Sequence, residues 1–239
     1  MATCHKETTE FPEILPAFAI KEPLKPDPTK VYSGIAVKPS DKLGRRKIVT
    51  ERYLERGYIQ PEQLSADGTY KDEFEPVSIP IVSKIDGRVV ASIRLIKNTP
   101  RLGLPVNSHE EITIVGDWKK EVVRATFELS QLAKSKEYYK DPRAIDGLIR
   151  TYMQISRALG ILTSVGVIDD GVKEYLNGPH KGFNLPQIGP AVNYMGSLSI
   201  PIWIHIPNVT ASARKNGHHE LAEFLEGKDS HGFEWYVGP

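Results

Sequence analysis

The chain of 239 residues is 40% hydrophobic and 26% charged, an ordinary composition for one large folded domain. Its 31 basic and 30 acidic residues leave a net charge of +1, so the overall basic excess of a nucleic-acid binder is absent. The single cysteine, Cys4, excludes an internal disulfide, and no run reaches the ~20 apolar residues of a membrane-spanning helix.

Residues 1–30 hold Pro12, Pro16, Pro23, Pro26 and Pro28 among many charges, which predicts an extended N-terminal arm. They lack the apolar core of a secretory leader, so the expected location is the cytoplasm. A single domain is expected over residues 31–239, opening with the apolar run 31–37. Leu43, Ile48, Val49, Tyr53 and Leu54 predict a helix over 41–57, with Gly57 as its stop. Residues 60–76 are polar, with an Asp67-Gly68 turn, and read as a loop. Asp86-Gly87 joins predicted strands 77–85 and 88–96 into a hairpin, because that dipeptide favours the turn that matches strand twist. Residues 97–111 read as a loop. A long strand is expected over 122–134, with Val123, Ala125, Phe127 and Leu129 on one face and Arg124, Thr126, Glu128 and Ser130 on the other. Its alternation slips at Gln131 and Leu132, and a β-bulge there would restore the phase.

Ile145, Leu148, Ile149, Tyr152, Ile155 and Leu159 form the apolar stripe of a helix over 141–159. The continuous apolar run 161–168 reads as a buried strand. Asp169 and Asp170 can cap a short helix to residue 176. Strands are expected at 182–188, 191–194 and 199–206, and a closing helix over 208–226. Asn208-Val209-Thr210 has the glycosylation pattern but, without a leader, reads as the cap of that helix. The order predicts an α/β (α+β) fold, a central twisted mixed sheet flanked by helices.

The stretch Glu128-Leu129-Ser130-Gln131-Leu132-Ala133 resembles the Glu-hydrophobic-Ser-Arg-hydrophobic-Ala/Val signature of autoinducer synthases and N-acyl amino acid synthases, acyltransferases with the GNAT fold. Other pieces follow in the same order: Leu54-Glu55-Arg56-Gly57-Tyr58, Asp72-Glu73-Phe74-Glu75, Ile93-Arg94-Leu95-Ile96, Tyr194-Met195-Gly196 and Pro201-Ile202-Trp203-Ile204. Together they span residues 32–225. The signature Arg is Gln131 here, and a neutral amide cannot make the bidentate charged pair that Arg makes with carboxylates.

The resemblance implies an enzyme that moves an acyl group from acyl carrier protein or coenzyme A to the amine of a small metabolite such as an amino acid. Glu128 would be the base and Arg94 its orienting or substrate-binding partner. Asp72, Glu75, Gln131, Ser130 and Tyr58 would bind substrate. No metal or redox cofactor is implied, because the thioester supplies the reactivity. The Gly-rich pyrophosphate loop usual in this fold is absent. Lys134, Lys136, Lys140 and Arg143 stand in its place, suited to the acidic surface of a carrier protein. The alternatives are an acyl-homoserine lactone synthase and a catalytically silent domain that binds an acyl chain or a protein. Adjacent His218 and His219 point different ways on a helix and offer no zinc pattern.

Overall fold

The computed structural model describes residues 15–239. Eight strands form one mixed sheet: β1 (Val31–Ile35), β2 (Ser78–Ile85), β3 (Arg88–Lys97), β4 (Phe127–Lys134), β5 (Thr163–Asp169), β6 (Val192–Tyr194), β7 (Ser197–His205) and β8 (Tyr236–Val237). Their order across the sheet is β6-β7-β5-β4-β3-β2-β1-β8. The helices are α1 (Pro39–Arg56), α2 (Pro105–Ser108), α3 (Trp118–Arg124), α4 (Arg143–Ala158), α5 (Asp170–Asn177), α6 (Ile206–Lys215) and α7 (His219–Leu225).

Strand alternation decides what each face carries. Ile93, Leu95, Phe127 and Leu129 point into the main core, where Leu148, Tyr152 and Ile155 of α4 meet them. Arg94, Ile96 and Glu128 point to the opposite face. There Ile48 and Val49 of α1 pack on Ala133. The predicted hairpin is present, with Asp86 and Gly87 at φ +49° and +73° in its turn.

Three elements differ from the sequence reading. Residues 118–124 are the helix α3, not the start of a strand. Trp118, Val122 and Ala125 pack together at helical spacing, while Val123 is 68% exposed. The run of apolar residues in adjacent positions had mimicked strand alternation. Residues 182–188 form no strand; Phe183, Leu185 and Ile188 are buried from irregular chain, with one bridge from Gln187 to Ile202. The predicted closing helix is two helices, α6 and α7, separated at residues 216–218.

The arm also differs. Residues 1–14, including Cys4, lie outside the described residues. From there the chain is held to the sheet around Ile20 and Glu22, while residues 23–30 are mostly exposed. Ile20 is buried with Tyr32, Ala36 and Val82, and its N–H donates to the Ile35 carbonyl at 3.1 Å. Gly34 permits this approach, because a Cβ there would stand 2.6 Å from the Ile20 backbone. Glu22 pairs with the buried Lys84, whose Nζ also donates to Asp41 at 3.1 Å. Ile20→Ala is expected to cost about 2–5 kcal/mol, as buried-aliphatic truncations do. Removal of residues 1–30 should lower the urea midpoint further, because Lys84 loses one of its two carboxylates. An unchanged midpoint in urea unfolding would return the arm to the periphery.

Candidate active site

The site is organised by where the sheet comes apart. β4 and β5 pair in parallel at only two positions, Glu128 with Val165 and Leu129 with Gly166. Beyond them β5 stays with β7 through Asp169, and β4 stays with β3 through Lys134. The predicted bulge lies at this parting. Between the pairs Arg94–Ser130 and Ser92–Ala133, two residues of β4, Gln131 and Leu132, face the single residue Ile93. Gln131 takes up the extra length at φ +54°. A cavity of about 590 Å³ opens between the diverging strands. Leu132, Ala133 and Lys134 line one side and Asp169, Gly171 and Val172 the other. Tyr53 and Tyr58 close it on the α1 face, and Ile145 and Leu176 on the α4 face. The cavity thus reaches from one face of the sheet to the other.

Beside the bulge lies a buried ionic network. Arg94, 2% exposed, clasps Asp72 with both terminal nitrogens, Nη1 to Oδ1 at 2.8 Å. It also stands 3.6 Å from Glu75. Arg45, equally buried, pairs with Glu75 and donates to Gln131 Oε1 at 2.6 Å. Gln131 Nε2 reaches Asp72 at 3.4 Å. Asp72 and Glu75 therefore hold their loop to the sheet. Gln131 fits as a neutral link: two guanidiniums already balance two carboxylates, and an arginine at 131 would set a third cation against Arg45. Arg45 was missing from the sequence reading. Its signal was present, since it shares the inner stripe of α1 with Asp41, Ile48 and Val49.

Glu128 departs from the expected cleft-facing position. It is 3% exposed, its Oε2 accepts from the Val106 N–H at 2.8 Å, and it is not among the residues lining the cavity. The segment 98–117, which includes most of the loop expected over 97–111, folds over it. Leu104, Val106, Ile112 and Ile114 from that segment join Val165 and Trp203 in a second core. Burial pushes the Glu128 carboxyl up to about 8, against the opposing pull of the Val106 N–H and the charge of Arg94. Arg94 lies across from Ser130, and Glu128 across from Ile96, so the two are diagonal neighbours on one face. That spacing is about 7–8 Å between backbones rather than the ~5 Å of a direct pair. The fork of Arg94 is spent on Asp72.

Tyr58 lines the cavity and donates to Asp169 Oδ2 at 2.8 Å. Ser130 is half-buried beside Arg94. The four basic candidates divide. Lys134 and Lys140 line the cavity; burial lowers the pKa of Lys134, whose Nζ donates to the Asp141 carbonyl at 3.1 Å. Lys136 pairs with Glu55 at 2.7 Å. Arg143 clasps Asp141 and donates to the Thr29 carbonyl, away from the cavity. Arg52 and Arg56, one helical turn apart on α1, line the cavity and were not foreseen. Among the described residues no cluster of three His, Cys, Asp or Glu forms a metal site, and no helix is long and apolar enough to cross a membrane.

The fold is similar to that of solved N-acyl amino acid and acyl-homoserine lactone synthases. FeeM, an N-acyl amino acid synthase from uncultured soil microbes, superposes with a TM-score of 0.59 at 17% identity, covering 77% of this chain and 94% of its own. The acyl-homoserine lactone synthase LasI gives 0.54 at 18% identity, over 74% and 89% of the two chains. BjaI, a coenzyme A-dependent acyl-homoserine lactone synthase solved with isopentyl-CoA, gives 0.52 at 13% identity, over 83% and 84%. At these identities the likeness establishes the shared fold. No protein-family model matches the chain, and no curated protein matches it in sequence.

The buried Glu128 has a measurable pH signature. Its carboxyl holds a proton up to about pH 8 in the folded chain, against an ordinary value of 4.5. Below about 4.5 both states are protonated and nothing changes. Between the two values the unfolded chain ionises first, so stability falls as pH rises, and above about 8 the full penalty applies. Glu128→Gln removes this dependence. The variant should therefore gain on the wild type between pH 5 and pH 8.5 in urea titrations. Parallel curves for the two proteins would mean that Glu128 is ionised throughout.

Proposed function

We propose that the protein is an N-acyltransferase, which moves an acyl group from an acyl carrier protein or coenzyme A thioester to the amine of a small metabolite such as an amino acid. The observation that carries this is the cavity between β4 and β5. A thioester needs a slot that admits its extended pantetheine arm, an apolar wall for its acyl chain, and access to an acceptor on the other side. A cavity spanning both faces of the sheet, with Ile145, Leu176 and Leu132 on its walls, supplies that shape. The fold shared with acyltransferases supports the same reading.

In the reaction the acceptor ammonium loses one proton and its lone pair adds to the thioester carbonyl. The adduct nitrogen then gives up a second proton, the C–S bond breaks, an amide forms, and the departing thiolate takes up one proton, so that one proton is released overall. The bulge at Gln131 and Leu132 takes one residue of β4 out of the ladder beside the cavity, where backbone N–H groups suit a developing oxyanion. Glu128 is the proton acceptor, reached through a water because it does not itself line the cavity. A carboxyl that titrates at about 8 is ionised only in part at neutral pH, and it is that fraction that takes the proton. Arg94 and Arg45 keep Asp72, Glu75 and Gln131 in register behind it. The reaction as written requires no metal or redox group. Lys134, Lys140, Arg52 and Arg56 make the cavity cationic, which favours a donor whose phosphopantetheine is carried by an acidic protein.

The test is a thiol-release assay with acyl-pantetheine, acyl carrier protein and acyl-CoA donors and a panel of amines. Glu128→Gln should lower turnover by about 10²–10⁴ and leave the donor KM unchanged. Donor binding with no transfer to any amine would instead identify a silent acyl-binding domain.

A further inference from the structure

We infer that Asp169 is the acceptor-binding carboxylate, receiving the ammonium of the incoming amine at the wall of the cavity. This rests on the acyltransferase reading and names a residue that neither the sequence signature nor the buried network includes.

Among the residues lining the cavity Asp169 is the one carboxylate. The other acids of the site are committed elsewhere. Asp72 and Glu75 are held by Arg94 and Arg45, and Glu128 is covered by the Val106 segment. Asp169 ends β5 where that strand has left β4, and it occupies the N-cap position of α5. An aspartate there ordinarily accepts from the first free N–H groups of the helix. This one makes no such bond. Its carboxylate turns instead to Tyr58 Oη at 2.8 Å and Ser197 Oγ at 2.7 Å, with Ser199 Oγ at 3.5 Å.

These partners are neutral hydroxyls, and Asp169 forms no ion pair among the described residues. Two short hydroxyl bonds and one long one leave further lone-pair capacity on a carboxylate. Its negative charge is therefore oriented but not cancelled. Of the four cations that line the cavity, Arg52 pairs with Glu55 and Lys134 with the Asp141 carbonyl and the Tyr139 ring, while Arg56 and Lys140 form no ion pair with Asp169. The orientation is rigid because the hydroxyls come from two walls. Tyr58 follows α1, and Ser197 follows the Met195-Gly196 turn, where a Cβ on Gly196 would lie 3.7 Å from the Gly57 carbonyl. Tyr53 and Tyr58, edge to face at 5.3 Å, add two aromatic rings beside the same position. A fixed carboxylate with aromatic neighbours selects a compact cation. The acceptor class is accordingly an alkyl ammonium, held before it is deprotonated; alcohols, thiols and aryl amines, uncharged at neutral pH, are selected against.

The experiment compares wild type with Asp169→Asn and Asp169→Glu. Decanoyl-pantetheine is the donor, and the twenty L-amino acids plus putrescine are screened so that the best acceptor is carried forward. Asp169→Asn should raise that acceptor's KM about ten- to hundredfold, the loss expected for one charge-assisted hydrogen bond. The donor KM should not move, and Asp169→Glu should recover part of the loss. A second measurement needs only the wild type. The acceptor's analogue with hydroxyl in place of ammonium should compete at least tenfold more weakly than a non-reacting ammonium analogue of the same size. An acceptor KM within twofold of wild type in Asp169→Asn, or equal competition by the two analogues, overturns the assignment and leaves the acyltransferase reading standing. Absence of transfer by the wild type with every acceptor overturns both.

Discussion

Two residue pairs, Glu128 with Val165 and Leu129 with Gly166, are the whole ladder between β4 and β5 in an eight-stranded sheet. The constraint behind this is visible in side chains. Leu129 and Leu132 both pack against the main core although they are three positions apart. A strand with a period of two cannot put both on one face unless it carries an extra residue. Gln131 is that residue, in a backbone conformation uncommon for a side chain of its kind. The bulge turns β4 out of line with β5, and the space left behind is the cavity.

A sheet opened in its middle must be held open, and the buried ions beside the bulge do this. Arg45 reaches from α1, Arg94 from β3, and Asp72 and Glu75 from the loop between them, with Gln131 at the centre. Arg45 and Arg94 are buried and Asp72 and Glu75 partly so; burying a charge costs several kcal/mol per ion before pairing offsets it, so such a network is weak evidence for stability. Its effect is to fix geometry, because a single misplaced partner leaves a buried charge uncompensated. Neutral Gln131 keeps that balance. Glu128, a few residues away and outside the network, is left to the burial that raises its pKa.

Much of this was legible in the sequence where local rules and tertiary packing agree. The Asp86-Gly87 hairpin, the α4 stripe and the slipped alternation at Gln131 each have a local cause, and each appears in the fold. The rest depended on what the chain later packs against. Val122 and Val123 read as strand until Trp118 is seen to share the buried face of α3. Residues 98–117 carry the prolines and glycines of a loop, yet supply a second core that hides Glu128. Ile20 sits in a proline-rich arm whose composition says nothing of the groove over Gly34. Asp169 reads as a helix cap from its neighbours alone, and only the positions of Tyr58 and Ser197 show its carboxylate turned elsewhere.

The central claim is that the parting of β4 and β5 is a binding slot for an acyl thioester. The most direct measurement is a crystal structure of the protein with a non-hydrolysable decanoyl-pantetheine thioether. The account predicts the sulfur between the two strands beside Leu132, with the alkyl chain running past Ile145 and Leu176. A ligand bound elsewhere on the surface, with β4 and β5 closed against each other beyond Leu129, would contradict it.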